Sequence, residues 1–303
     1  MTVLTDFQQK ISALLPNIKL LFDEPLSAHT SFRIGGPAEV MALPKSADEI
    51  AEILNKSAIL DCKPLILGAG TNVLAPDDYL PGLVICLKDS LDGIEQLDDH
   101  TIRVMAGVTM TRAAVYAANL GLSGLEFAHG IPGTVGGGVY MNAGAYGGEI
   151  CQVCTSVAVM DEKGDIHVYN TDQMEFSYRK SRLETSGGIV VYADFRLSDA
   201  PVETIRGKMR ELMDKRKASQ PLDLPSAGSA FKRPVGGYAA ALIDESGLKG
   251  FRVGGAAISQ KHAGFAVNLG GASAEDVKSL LRQVSDKVFE NSGIRLEPEV
   301  RIW

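Results

Sequence analysis

Apolar residues recur at helical spacing along much of the chain. Leu4, Phe7, Ile11 and Leu14 lie on one face of the N-terminal segment. Ile50, Ile53 and Leu54 follow Ser46-Ala-Asp-Glu49, which reads as a capping box opening a short helix. Residues 111–120 are alanine-rich and stop at Gly121, so a helix with a glycine stop is predicted there. Another helix is predicted over 202–217, with Ile205, Met209, Leu212 and Met213 inward, and another over Ala239–Ser246. The clearest is the last. Ser273 caps it, Asp276 closes the box, Val277, Leu280, Leu281, Val284 and Val288 form its stripe, and Gly293 ends it.

Strand patterns fill much of the remainder. Pro64–Leu67, Leu83–Leu87, Thr101–Ala106 and Ile189–Leu197 are short β-prone runs. Val157 and Val159, a turn at Lys163-Gly164, then Ile166 and Val168 predict a hairpin. Two short strands are expected near Ala256 and Ala266, and the tail Ile294–Trp303 reads as extended. Pro221 and Pro225 mark a break after the 202–217 helix, and a domain boundary is placed near residue 205.

One stretch fits neither period. Residues 130–148 hold eight glycines among nineteen residues, with no charge until Glu149. A disordered linker would be more polar. The composition points to ordered backbone that approaches a large, partly apolar ligand closely.

Composition narrows the ligand. The chain has 303 residues, 45% hydrophobic and 22% charged, with net charge −7. A general nucleic-acid or polybasic membrane binder is not expected. The basic run Lys208, Arg210, Lys215, Arg216, Lys217 reads as a solvated helix face. No 18-residue apolar run predicts a membrane span, and the N-terminus lacks the pattern of a signal peptide. Four cysteines, Cys62, Cys86, Cys151 and Cys154, are sparse enough for a reducing, cytoplasmic setting. Cys151 and Cys154 form a CxxC with no second pair and no nearby histidine, so reduced thiols are expected and no metal site.

Gly68-Ala-Gly-Thr-Asn72 follows a strand, yet it is not a Rossmann fingerprint. It has no third glycine at the right spacing, and Ala75-Pro-Asp-Asp-Tyr-Leu-Pro-Gly82 cannot open a helix. No Walker A loop occurs either. The turn can be a plain tight turn, or its successive N–H groups can form an anion nest helped by Thr71 and Asn72. Together with residues 130–148, it suggests two uncharged loops that grip one dinucleotide.

Several segments together resemble the UDP-N-acetylenolpyruvoylglucosamine reductases (MurB). They are His29–Ala38, Gly68–Asn72, Gly130–Gly137 with Met141-Asn-Ala-Gly144, Tyr178-Arg-Lys-Ser181, Gly228-Ser-Ala-Phe-Lys232 and Leu296-Glu-Pro-Glu-Val300. The resemblance implies an α+β fold of the vanillyl-alcohol-oxidase (PCMH) type. Residues 1–205 would form the FAD-binding region, as two α+β subdomains split near 80–90. Residues 206–292 would form the substrate-binding domain, and 293–303 a tail that returns to the active site. It implies noncovalent FAD held by Gly68, Ala69, Gly70, Thr71, Asn72, Gly133, Thr134, Gly136, Gly137 and Asn142, with the backbone at Gly136 close to the cofactor. It further implies NADPH as hydride donor, UDP-N-acetylglucosamine enolpyruvate as substrate, UDP-N-acetylmuramate for peptidoglycan as product, and a monomer.

Reducing an enolpyruvyl ether places hydride on the methylene carbon and a proton on the carbon bearing the carboxylate. Such a site needs a fixed cation, a second electrophilic donor and a proton source. The resemblance assigns these roles to Arg179, Glu299 and Ser229. A permanent guanidinium suits a carboxylate, and Glu299 would help most when protonated. Arg179 could instead be a surface ion-pair residue, Ser229 a turn residue, and Glu297 the functional tail carboxylate. Lys261-His262 could touch substrate or serve structure. Arg233 stands where many members carry asparagine, and the link from Leu197 to Ile205 is short. The chain therefore resembles the subclass without a tyrosine-bearing loop. The phosphate loop has no histidine, so His129 is not expected to bond flavin covalently. Two rivals remain: the FAD subunit of a molybdenum hydroxylase, and a nucleotide-sugar binder that has lost activity.

Overall fold

The structure is a computed structural model and describes residues 4–303. The chain forms two compact units that interleave along the sequence. Unit 1 takes residues up to Asp23, Glu39–Ala69 and Pro81–Asp214; unit 2 takes Glu24–Ala38, Gly70–Leu80 and Lys215–Trp303. Sequence periodicity suggests one boundary near 205 because it reports local amphipathicity. It carries no sign that 24–38 and 70–80 join the C-terminal third.

Unit 1 holds two larger sheets. In the first, Lys19–Pro25, Pro37–Leu43, Leu80–Cys86 and Leu65–Leu67 lie in that order, the last two parallel. Helices α1 (Asp6–Leu14) and α2 (Ala47–Ile59) belong to this half. Thr5 caps α1 with a reciprocal box to Gln8. The predicted box at Ser46 is only half formed. Ser46 accepts from Glu49 N–H, but the Glu49 carboxylate accepts from Lys45 N–H at 2.7 Å instead of from Ser46. Residues 1–3 of the N-terminal segment lie outside the described residues.

The second sheet is antiparallel, in the order Ile166–Asn170, Cys154–Met160, Ile189–Arg196, Thr101–Met105, Ile94–Asp98. It contains the expected hairpin, with Val157 opposite Tyr169 and Val159 opposite His167. The α3 helix (Met110–Asn119) is capped by Thr109, and Gly121 follows at φ 73°. The glycine stretch contains a helix that periodicity does not reveal, α4 (Val135–Tyr140). Three glycines in a row disfavour a helix by about 1 kcal/mol each. Packing offsets this: Val135 and Val139 are buried, and a Cβ on Gly136 or Gly138 would meet Ala106 at 3.0 Å or the Met110 sulfur at 2.7 Å. A single turn, α5 (Leu183–Ser186), and the long α6 (Val202–Ser219) follow.

Unit 2 is built around the last helix. After α7 (Ala239–Glu245), the strands Arg252–Val253, Ala256–Ile258 and Ala266–Asn268 form a small antiparallel sheet beside α8 (Ala274–Ser292). Ser273 and Asp276 form the expected box, and Gly293 ends the helix in a left-handed conformation. Val277, Leu280, Leu281, Val284 and Val288 are all buried. At about 1.5–3 kcal/mol for each such side chain, this face outweighs the caps. The same core contains Phe32, Ile34 and Leu74 from the early segments. Asp77 accepts from the Ala274 N–H at 2.7 Å, so a residue nearly two hundred positions earlier satisfies the start of α8.

Candidate active site

In unit 1 the two glycine loops meet at Thr134. A Cβ on Gly68 would lie 3.0 Å from Thr134 Oγ1, and that hydroxyl caps α4 by accepting from Gly137 N–H. Backbone bonds pin α4 to the sheet: Gly136 N–H donates to Ala106 O and Val135 N–H to Val108 O. Gly136 therefore faces Ala106. On that side its missing side chain serves helix–sheet packing. Gly137 faces outward and is exposed. Gly133 precedes the cap at φ 131°, a backbone conformation open to glycine.

Arg179 sits at φ 57° in a tight turn whose flanking residues, Ser177 and Lys180, exchange two backbone hydrogen bonds. Its Nη2 donates to Gly144 O at 3.0 Å, and its guanidinium lies 5.2 Å from the centre of the Tyr178 ring. A left-handed arginine is strained backbone, of the sort found at functional positions. Asn142 lies nearby, only 1% exposed. Its amide donates both N–H groups, to Ser177 O and Glu149 Oε2, and accepts from Cys151 N–H. Both of its donors are engaged by the protein.

In unit 2, Gly70 takes φ 61°, and a Cβ there would sit 2.1 Å from His29 O. No other residue fits. Ser31 N–H donates to Gly70 O and Ser31 Oγ to Ser226 O. The tail reaches this loop: Arg301 N–H donates to Asn72 O, and Asn72 Nδ2 donates to the Glu299 carbonyl at 3.2 Å. Asn72 thus fastens the tail, while Thr71 beside it is half-buried. Ser229 lies opposite Phe265 in an isolated antiparallel bridge, directly after Gly228 at φ 78°. Glu299 N–H donates to Ala230 O at 3.0 Å, and Phe231 lies opposite Pro298. Ser229 and Glu299 are therefore brought onto neighbouring backbone. Glu297 is exposed and ion-paired to Lys232, which leaves Glu299 as the half-buried carboxylate of the two.

The remaining candidates sort by their partners. His262 Nδ1 accepts from Gly264 N–H at 3.1 Å, its ring meets Phe265 edge-on, and burial lowers its pKa. That is a structural role. Lys261 Nζ donates to Lys217 O, and the Arg233 guanidinium stacks 4.0 Å from the Tyr238 ring. All four cysteines are free. Burial pushes the Cys154 thiol up to about 12 and raises that of Cys151, where Glu149 adds to the effect. Neither is poised as a thiolate nucleophile. No cluster that could hold a metal occurs among the described residues.

Sequence reasoning missed what surrounds the Arg179 turn: Ser177 within it, Glu149 on Asn142, and the hairpin Gly144–Glu149, whose Gly144 O accepts from Arg179 and whose tip Tyr146-Gly147 takes φ 55° and 87°. The usable signal was the aromatic–glycine pair bounded by Gly144 and Gly148.

The C-terminal residues 220–303 match the model of the UDP-N-acetylenolpyruvoylglucosamine reductase C-terminal domain, and residues 38–170 match an FAD binding domain. The UDP-N-acetylenolpyruvoylglucosamine reductase of Agathobacter rectalis is 43% identical, with 98% of each chain covered. That of Lactococcus lactis is also 43% identical, over 95% of this chain and 96% of the relative. The chain belongs to the UDP-N-acetylenolpyruvoylglucosamine reductase family. Among solved structures, the crystal structure of UDP-N-acetylenolpyruvylglucosamine reductase from Thermus caldophilus superimposes with TM-score 0.77 at 37% identity, covering 95% of this chain and 99% of that one. A chitooligosaccharide oxidase, 13% identical with TM-score 0.51 over 95% of this chain and 60% of that one, shares the fold alone. These likenesses bear out the α+β, FAD-binding fold expected of the family.

The residues present fit FAD. The meeting of Gly68, Thr134 and Gly137 gives a wall with no side chain larger than a threonine, where a dinucleotide can approach the backbone closely.

Proposed function

We propose that the chain reduces UDP-N-acetylglucosamine enolpyruvate to UDP-N-acetylmuramate with noncovalent FAD and NADPH. The observation that supports this reading is the pairing of the tail with the 229–231 segment, which brings Glu299 and Ser229 onto neighbouring backbone. Family membership supports the substrate and the reaction. In this reading residues 1–205 serve the cofactor, 206–292 the substrate, and the tail supplies a catalytic group.

When bound, FAD would supply the methylene carbon with hydride taken from NADPH. Gly68–Asn72, Gly133, Thr134 and Gly137 would hold it, chiefly through close approach of backbone that carries no bulky side chain. Arg179 pairs with the substrate carboxylate as charge builds on it. Glu299, protonated, donates a hydrogen bond to the same carboxylate. The Ser229 hydroxyl gives its proton to the carbon bearing that carboxylate and is reprotonated from solvent. The free cysteines agree with a reducing, cytoplasmic location, and no described helix is long and apolar enough to cross a membrane. The reading takes the chain as a monomer.

Dithionite-reduced, FAD-loaded protein mixed anaerobically with the enolpyruvyl nucleotide is expected to regain oxidised-flavin absorbance. A flavin that stays reduced would favour the electron-transfer rival, and a spectral shift alone an inactive binder. Ser229→Ala should leave reduction by NADPH intact and slow reoxidation by about 100-fold or more. Equal loss in both halves would remove the serine from the acid role.

A further inference from the structure

The Arg179 turn is tied to one segment at three points. Arg179 Nη2 donates to Gly144 O. Ser181 Oγ, at 0% exposure, donates to Tyr140 O at 2.8 Å. Asn142 Nδ2 donates to Ser177 O at 3.1 Å. All three partners lie within residues 140–144, at the end of α4 and just beyond it. Asn142 is the hub. It takes φ 42°, a conformation that asparagine tolerates better than most residues. Its carbonyl oxygen is fixed by Cys151 N–H at 3.0 Å and one amide hydrogen by Glu149 at 3.2 Å. The other amide hydrogen therefore has a set direction, toward the carbonyl two residues before Arg179. With Ser177 and Lys180 closing the turn through both backbone bonds, a shift of Ser177 is passed on to Arg179.

We infer that Asn142 is a positioning residue for the oxidative half-reaction, aiming the Arg179 guanidinium through Ser177. The inference rests on the proposed role of Arg179. It assigns Asn142 no contact with cofactor or substrate. Loss of its side chain should therefore lower turnover with the enolpyruvyl substrate and spare reduction by NADPH. A residue that only supported the fold would harm both together.

The test is a double-mutant cycle read by rapid mixing on FAD-loaded protein. Asn142→Gly keeps the backbone at ease at φ 42° while removing all three side-chain bonds. It should slow reoxidation by substrate about 10-fold to 100-fold, mostly in the saturating rate, with reduction by NADPH within about twofold of the parent. In an Arg179→Ala background the same change should add no further slowing. Full additivity of the two losses, or equal slowing of both half-reactions, would overturn the positioning role. A normal oxidative half-reaction in Arg179→Ala alone would overturn the function reading, and this inference with it. Should Asn142→Gly not fold, Asn142→Asp keeps the size and the acceptor for Cys151 but loses the donor to Ser177, and the same outcomes apply.

Discussion

Two imidazoles are held neutral by burial. The pKa of His129 is lowered by desolvation, and that of His262 is lowered first by desolvation, with nearby Lys249 adding to it. A histidine depressed in the folded state takes a proton more readily when unfolded. Its contribution is thus fully present above the unfolded pKa, about 6.5, and is lost as pH falls below it. Asp98, Asp161 and Asp276 are depressed mainly by hydrogen bonds they accept. Their contribution stays intact until pH approaches the ordinary carboxylate range, so it does not compete in the histidine window. The urea midpoint is expected to fall between about pH 7.5 and about pH 5.5. His262→Asn, which retains an acceptor for Gly264 N–H but cannot titrate, should flatten that slope; an unchanged slope would remove His262 as its source. At this scale sequence reading singled out Arg179, Ser229 and Glu299, which the structure places in a strained turn and on paired backbone. It did not read Asn142 as a support of the Arg179 turn, because a buried amide and a ligand-binding amide look the same in a sequence.

Among the elements, α8 was legible and α4 was not. The former carries a box, a stripe and a stop within a single local window. The latter is three glycines flanked by valines, and it is helical because its inward glycines let it lie against Ala106 and Met110. The strands Lys19–Pro25 and Pro37–Leu43 also went unread. The first has no fully buried residue and mixes polar with apolar side chains, the second is buried along nearly its whole length, so neither alternates cleanly. The two faces of α4 separate stability from binding. Gly136→Val presses on Ala106 and should cost about 1–3 kcal/mol in the apoprotein. Gly137→Ala meets only Thr134 Oγ1, at 3.6 Å. It should raise apoprotein stability by up to about 1 kcal/mol while weakening FAD about tenfold or more, since a methyl then stands on the exposed wall. Melting curves with and without FAD check both, and equal FAD affinity in Gly137→Ala would show that the wall faces no cofactor.

For the molecule as a whole, chain order and spatial order part company. The match to the reductase C-terminal domain begins at residue 220, yet the core of unit 2 also includes Phe32, Ile34 and Leu74. No periodicity within 220–303 reveals those absent partners. A fragment of residues 220–303 loses three core side chains worth about 5 kcal/mol or more in burial, and the Asp77 cap of α8 as well. Total domain stability is only about 5–15 kcal/mol. The isolated fragment is expected to unfold without a cooperative urea transition and to show poorly dispersed amide resonances. A sharp two-state transition would mean that the early segments are dispensable.

That interleaving also sets a clock. Phe32, Ile34 and Leu74 leave the ribosome long before Val277, Leu280 and Val300, the residues they share a core with. At about 5–20 residues per second of synthesis, the wait is roughly ten to fifty seconds. During that interval the early apolar side chains have no native partner, and a nascent chain stalled before residue 220 should be a client for chaperones that hold exposed hydrophobic segments.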